Sequence, residues 1–403
     1  MIKTKVLVQA SSRSWAGGVD ICMGMVEDEI AVVRTIRRVL CHFAGLDVVL
    51  VAPEFDRGGE LDDIVKLIDN KRLSLYYGHN ASPLNRMIEA SHDLSDTDYV
   101  VRVDGIHFCF DPQASLSMLD IAISKQLDCI KLPDDFPVHF TSEIFRVGAL
   151  KAINAELTQA EDAKYRVHPK CYFSMNSQRF SVEFLAHLPC YSDEYLAECR
   201  RLATQIYAIP RQEVNEHRIV SGDRLGFHYE LALQHLKPDM KIIDIACADG
   251  YGVNIMSSHL KEVHGADLDE LSVEFAKQNN SAANTEYFVE DITKLSFSDE
   301  SYDAVTSFET LEHVPEHECL SEIKRVLKPG GVLVLSTPQN SIGHIPVNSC
   351  HLIEYSLNEL LALVNQYFIV VKVIGIKAGI IYDETDPYGT NTVLICIKPN
   401  NKD

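Results

Sequence analysis

Ile242-Ile-Asp-Ile-Ala-Cys-Ala-Asp-Gly-Tyr-Gly252 decides the reading of the C-terminal half. A short apolar run enters a turn of small residues, Ala246 to Gly250, and a helix-forming segment follows. Small residues let the backbone approach a ligand closely, and the helix start offers N–H groups with no intrahelical partner. The next apolar run, Val263-His-Gly-Ala-Asp267, ends in a carboxylate. At that spacing the acid is placed to accept two hydrogen bonds from ribose hydroxyls. Strand, turn, helix and acid-ended strand predict a parallel α/β sheet, and at its C-terminal strand ends either a nucleotide-type site or a tight strand–helix turn that only shapes the chain.

Working outward, strands are expected at Lys241–Ala246, Val263–Asp267, Glu286–Val289, Tyr302–Phe308 and Gly331–Ser336, then Phe368–Ile376 and Thr392–Ile397. Upstream, Val6–Gln9, Val48–Ala52, Ser74–Tyr77, Tyr99–Val103 and Cys129–Leu132 alternate with amphipathic stretches at Glu29–Phe43, Leu61–Asp69 and Ser82–His92. Both halves therefore read as α/β. The 403 residues suit two domains. We expect an N-terminal domain over 1–190, a helical linker over 191–217 (helix Ser192–Tyr207, then Pro210) and a C-terminal domain over 218–403.

A net charge of -21 repels phosphate backbones, which argues against long nucleic acid as a partner. The 11 cysteines are scattered without a C-x-x-C pair, as expected of buried reduced thiols in a cytoplasmic protein. The N-terminus enters a strand without the apolar core of a signal peptide. No apolar run reaches the ~20 residues a membrane helix needs.

The C-terminal half resembles the class I S-adenosylmethionine (SAM) dependent methyltransferases. Asp244-Ile-Ala-Cys-Ala-Asp-Gly250 is similar to their D-x-G-x-G-x-G loop, Asp267 to their ribose acid, and Glu290-Asp-Ile292 to their adenine-contacting segment. Ser301 to Val314 is similar to their fourth motif, and Arg325-Val-Leu-Lys-Pro-Gly-Gly331 with Leu335-Ser-Thr-Pro338 to the turn and strand after it. The resemblance implies a Rossmann-like seven-stranded sheet closed by the Phe368–Ile397 hairpin. It implies SAM as cofactor, held by Asp244, Ala246, Ala248, Gly250, Asp267, Leu268, Asp291, Ile292 and Phe308. NAD fits less well, because the loop lacks a full G-x-G-x-x-G. Ala246 and Ala248 stand where the family usually has glycine, and the Ala248 methyl is expected to crowd the cofactor's amino acid end.

Methyl transfer needs an acceptor atom lined up with the methyl group and a group to take its proton. If a helix begins at Glu309-Thr-Leu-Glu-His313, then Glu309, Glu312 and His313 share one face. This run is similar to the E-x-x-E-H metal motif of ubiquinone-pathway and small-RNA O-methyltransferases, which implies Mg2+ at Glu309, Glu312 and His313. The alternative is a helix-start acid beside a histidine packed near the cofactor. His313, Glu309 and, in the polar segment Ser336–Tyr355, His351 are the catalytic candidates; that segment also holds His344 and Glu354. Tyr382, Asp383 and Asp386 lie in a further loop, Ala378–Asn391, placed to face the acceptor or solvent.

Residues 3 to 175 resemble, diffusely, the cytidylyltransferase-like proteins of surface-polysaccharide synthesis, which share the nucleotide-diphospho-sugar transferase fold. Gln9-Ala10 is similar to the start of their nucleotide loop, Gly78 to Arg86 to their G-x-x-x-x-v-l-x-R segment, and Val101-Arg102 to their V-R-I strand. The resemblance implies nucleotide contacts at Gln9, Ala10, Arg13, Arg102 and Asp104. Gly18 stands at or near the family's lysine, and Asp104-Gly105 replaces Gly-Asp. Loss of those charges removes the main stabilisation of phosphoryl transfer, so a degenerate domain is expected. Together the halves imply O-methylation of a sugar or nucleotide-activated sugar in surface-polysaccharide synthesis, with dimerisation through the N-terminal domain. A bifunctional cytidylyltransferase/methyltransferase and a non-catalytic scaffold are the alternatives.

Overall fold

The computed structural model describes residues 2–13, 19–207, 226–341 and 351–400. These fall into two compact units, 2–207 and the remainder. His344, Gly18 and the end of the expected linker lie outside the described residues.

The first unit holds β1 (Thr4–Gln9), a small ladder of β2 (Met25–Val26) and β3 (Glu29–Ile30), β4 (Asp47–Pro53), β5 (Leu73–Gly78), β6 (Tyr99–Asp104), β7 (Cys129–Lys131), β8 (Glu143–Arg146) and β9 (Val182–Phe184). Seven of them form one sheet in the order β5-β4-β1-β6-β8-β7-β9. β5, β4, β1 and β6 are parallel, and β8 runs antiparallel to both its neighbours. The central strands are continuous apolar runs, as burial on both sheet faces demands. Helix starts are written locally: Ser82 caps Pro83–Ala90 through the Asn85 N–H, and Asp111 caps Pro112–Lys125 through Gln113 and Ala114. The helix Asp193–Tyr207, read as part of a linker, packs into this unit: Tyr195 meets Phe140 and Arg38.

The second unit holds β10 (Lys241–Ile245), β11 (Glu262–Asp267), β12 (Thr285–Val289), β13 (Tyr302–Phe308), β14 (Leu327–Pro338), β15 (Ile369–Lys377), β16 (Ile381–Tyr382) and β17 (Asn391–Ile397). Their order is β12-β11-β10-β13-β14-β17-β15-β16. The first five are parallel, and β17 is inserted antiparallel between β14 and β15. The two-residue β16 makes eight strands where seven were expected. β14 begins at Leu327, earlier than the expected Gly331, because the Lys328-Pro-Gly-Gly331 turn stays in the ladder with a register shift. Core clusters lie on both sheet faces, one around Leu320, Leu333 and Phe368, the other around Val253, Ile242 and Val393. Burial on both sides leaves the C-terminal strand ends as the place for polar chemistry. No helix among the described residues is long and apolar enough to cross a membrane, and the cysteines described carry free thiols.

Candidate active site

Asp244, in β10, is 1% exposed. One carboxylate oxygen accepts the Thr306 hydroxyl from β13 at 2.7 Å, the other the Tyr229 hydroxyl from the helix Gly226–Leu233 at 3.0 Å. Burial pushes its pKa up to about 7, with help from the nearby Asp267 charge and against the pull of both hydroxyls.

Past β10 the backbone passes through three left-handed residues, Ala246 (φ 60°), Ala248 (46°) and Gly250 (75°). Departure from glycine at the first two therefore registers as backbone strain. Gly250 is required twice over: a Cβ there would lie 2.6 Å from the Tyr287 ring and 2.8 Å from the Ala276 methyl. This winding delivers the Ala248 N–H to Asp267 at 2.9 Å, while the other Asp267 oxygen accepts the Asp269 N–H at 2.9 Å. The small-residue turn and the acid-ended strand thus meet directly. Of the other expected cofactor residues, Leu268 is exposed, Ile292 and Phe308 are half-buried, and Asp291 accepts the Thr293 N–H and hydroxyl.

Beyond β13 the structure corrects one expectation. No helix begins at Glu309. That residue is left-handed (φ 51°), Leu311–His313 is a single 3-10 turn, and the helix starts at Glu316, after Pro315. Glu309, Glu312 and His313 therefore do not share a helix face. The Glu309 carboxylate accepts both contacts of the Asn391 amide, at 2.6 and 2.7 Å, and the Ser336 hydroxyl at 2.7 Å.

Glu312 instead groups with His313 and His351, each offering a ligand atom within 4.8 Å of the others. The Glu312 carbonyl accepts the Leu352 N–H at 2.6 Å, which brings His351 to the turn. One Glu312 oxygen accepts the Thr337 hydroxyl at 2.8 Å. The other has no hydrogen bond among the described residues and lies 3.9 Å from His313 Nε2. Burial first, and then the Glu309 charge, hold its carboxyl well above the usual carboxylate range. His351 Nδ1 lies 2.7 Å from Glu354, whose second oxygen accepts from Asn340 at 2.9 Å. A buried oxygen without a partner beside two imidazoles is a donor set that fits a divalent cation. Glu354 would orient His351 from outside such a shell.

Residues 243–335 match the family described as "Methyltransferase domain". The second unit carries a methyltransferase domain. A probable S-adenosylmethionine-dependent methyltransferase of Mycolicibacterium smegmatis is 30% identical over 136 residues, 32% of this chain and 52% of that protein. The 24-methylenesterol C-methyltransferase 2 of Arabidopsis thaliana is 32% identical over 120 residues, 28% of this chain and 33% of that one. The chain thus spans about half the length of the first relative and a third of the second. A solved S-adenosylmethionine dependent methyltransferase from Mesorhizobium loti is 16% identical, with a TM-score of 0.37, and covers 44% of this chain and 100% of that one.

In the methyltransferase domain the expected loop carboxylates are otherwise engaged. Asp383 accepts from Thr385 within its own turn, and Asp386 pairs with Lys377. Sequence reading missed Thr306 and Tyr229, which hold Asp244, and also Ser336, Asn391 and Asn340. Thr306 and Ser336 lie inside the motif-like runs and Tyr229, Asn340 and Asn391 outside them, but none is marked by its residue type, and only the tertiary structure brings them in.

In the first unit, Gln9 and Asp104 are register partners on β1 and β6. Arg102 lies 3.4 Å from each but donates its shortest bond, 2.6 Å, to buried Glu143 on β8. Lys170 reaches the other Glu143 oxygen at 2.8 Å. Burial raises the Glu143 pKa, but Arg102 and Lys170 outweigh it and hold the carboxyl well below its usual range. Arg13 is exposed and Ala10 buried. Gln9, Arg102 and Asp104 are thus brought together, with the Arg102 charge matched by a carboxylate that sequence reading did not single out.

Proposed function

We propose that this chain is a SAM-dependent methyltransferase that transfers a methyl group to a hydroxyl oxygen of a sugar or nucleotide-activated sugar in surface-polysaccharide synthesis. The Asp267–Ala248 link carries the cofactor part of the reading: the ribose acid and the small-residue loop face each other across one hydrogen bond. The relatives named for S-adenosylmethionine support the same donor.

The reacting end is furnished with carboxylates and imidazoles: Glu309, Glu312, His313 and His351. An O–H acceptor needs a proton taken away as its bond to carbon forms, and imidazole is the side chain suited to that near neutral pH. This favours oxygen over the carbon acceptors of the sterol relatives. Glu312, His313 and His351 would hold a divalent cation such as Mg2+, which would lower the pKa of a bound hydroxyl. Glu354 would keep His351 in one tautomer, and Glu309, tied to Asn391 and Ser336, would shape the wall of the site.

For the first unit we propose a degenerate nucleotide-sugar-binding domain. The Glu143 charge on Arg102 supports this over phosphoryl transfer, because a matched guanidinium gives less to a triphosphate. A mass-spectrometric screen of CMP-sugars, sugar phosphates and oligosaccharides with labelled SAM tests the whole reading. Methyl incorporation into one of them is expected. Incorporation into none of them would overturn it.

A further inference from the structure

His228 lies outside every motif discussed above, and its neighbours direct it to the reacting end of the domain. Its ring is 8% exposed, and Nε2 is buried without a hydrogen-bond partner among the described residues. An imidazole nitrogen left so costs stability that a bound ligand would restore.

Three contacts fix where the helix Gly226–Leu233 sits. Tyr229 bonds Asp244 under the cofactor loop, and its ring fills the space where a Cβ on Gly252 would lie 1.9 Å away. Phe227 packs against Tyr382 of β16, with ring centroids 5.6 Å apart. Between them, His228 lies 5.6 Å from the ring of Phe308, the last residue of β13 and the one before Glu309. The imidazole is therefore set between the small-residue loop and β16, at the C-terminal end of β13.

We infer that His228 Nε2 hydrogen-bonds the methyl acceptor and takes its proton. This rests on the methyltransferase reading above. As the acceptor oxygen bonds to the methyl carbon, the carbon–sulfur bond breaks and its pair goes to sulfur, leaving S-adenosylhomocysteine. The acceptor's O–H proton passes to Nε2, so charge moves from sulfonium to imidazolium.

Calorimetry with two nucleosides tests this on the full chain without a known acceptor. Sinefungin carries an amine where SAM carries its methyl, so the amine stands in for the group facing the acceptor; S-adenosylhomocysteine has nothing there. In His228→Phe, sinefungin is expected to lose about tenfold in affinity relative to S-adenosylhomocysteine. His228→Gln, which keeps an acceptor atom, is expected to lose less. Retained S-adenosylhomocysteine binding shows that each variant is folded. An unchanged ratio of the two affinities, with both ligands bound, would overturn the role of His228 and leave the methyltransferase reading standing. A wild type that binds S-adenosylhomocysteine but not sinefungin would also overturn the role of His228 alone, and one that binds neither would overturn both.

Discussion

The Tyr229 hydroxyl donates to Asp244 across 3.0 Å, tying the helix before the sheet to the strand that carries the small-residue loop. Tyr229→Phe leaves that Asp244 oxygen without a donor in a buried site. The expected loss is about 1–3 kcal/mol in chemical denaturation, together with weaker S-adenosylhomocysteine binding. Unchanged stability would mean that water replaces the hydroxyl.

Asp244 also gives the domain a pH dependence. Its folded pKa of about 7 stands above the unfolded value of about 3.9, so the folded chain keeps a proton that the unfolded chain has lost. This contribution to stability is present below pH ~4, is lost as pH rises through ~7, and then levels off. Asp244→Asn removes the titration. Its melting temperature is expected to fall less than that of the wild type between pH 5 and pH 8. Parallel profiles would place the ionisation elsewhere.

Ala246 and Ala248 hold left-handed backbone that glycine adopts freely. Each alanine pays about 1–2 kcal/mol there, and glycine returns about 0.5–1 of it through the entropy of the unfolded chain. The double variant Ala246→Gly/Ala248→Gly is therefore expected to gain about 1 kcal/mol in urea unfolding. Destabilisation would show that the two methyl groups pack.

Asp267→Ala removes the acceptor for the Ala248 and Asp269 N–H groups and any ribose contact together. S-adenosylhomocysteine affinity is expected to drop by at least about tenfold, with far-ultraviolet dichroism unchanged. Binding within twofold of wild type would remove Asp267 from the site.

Mn2+ titration reports on the Glu312, His313 and His351 group. A rise in melting temperature with Mn2+ is expected for the wild type and for Glu309→Gln, and none for His313→Ala, since a ligand of the folded state alone stabilises it. Equal rises in all three would place the cation elsewhere.

Much of the methyltransferase domain was legible in the sequence because its signals are local. Tyr302–Phe308 has the bounds the apolar run announces, and Val263–Asp267 falls one residue short of β11. The small-residue turn and its acid were likewise readable, because backbone geometry and chain spacing suffice to place them. The three-residue β9 of the first unit is not readable as a strand, since so few residues carry no period.

The sequence by itself determined most of the strands along the chain, the caps that start the helices, and the small-residue loop and acid-ended strand. Only the tertiary structure decided which side chains share the reacting end. It turned Glu309 away to Asn391, buried Glu312 between two histidines and set His228 against Phe308. The reason is physical: hydrophobic period and capping act over a few residues, whereas these contacts join positions up to 82 residues apart and exist only once the sheet register is closed.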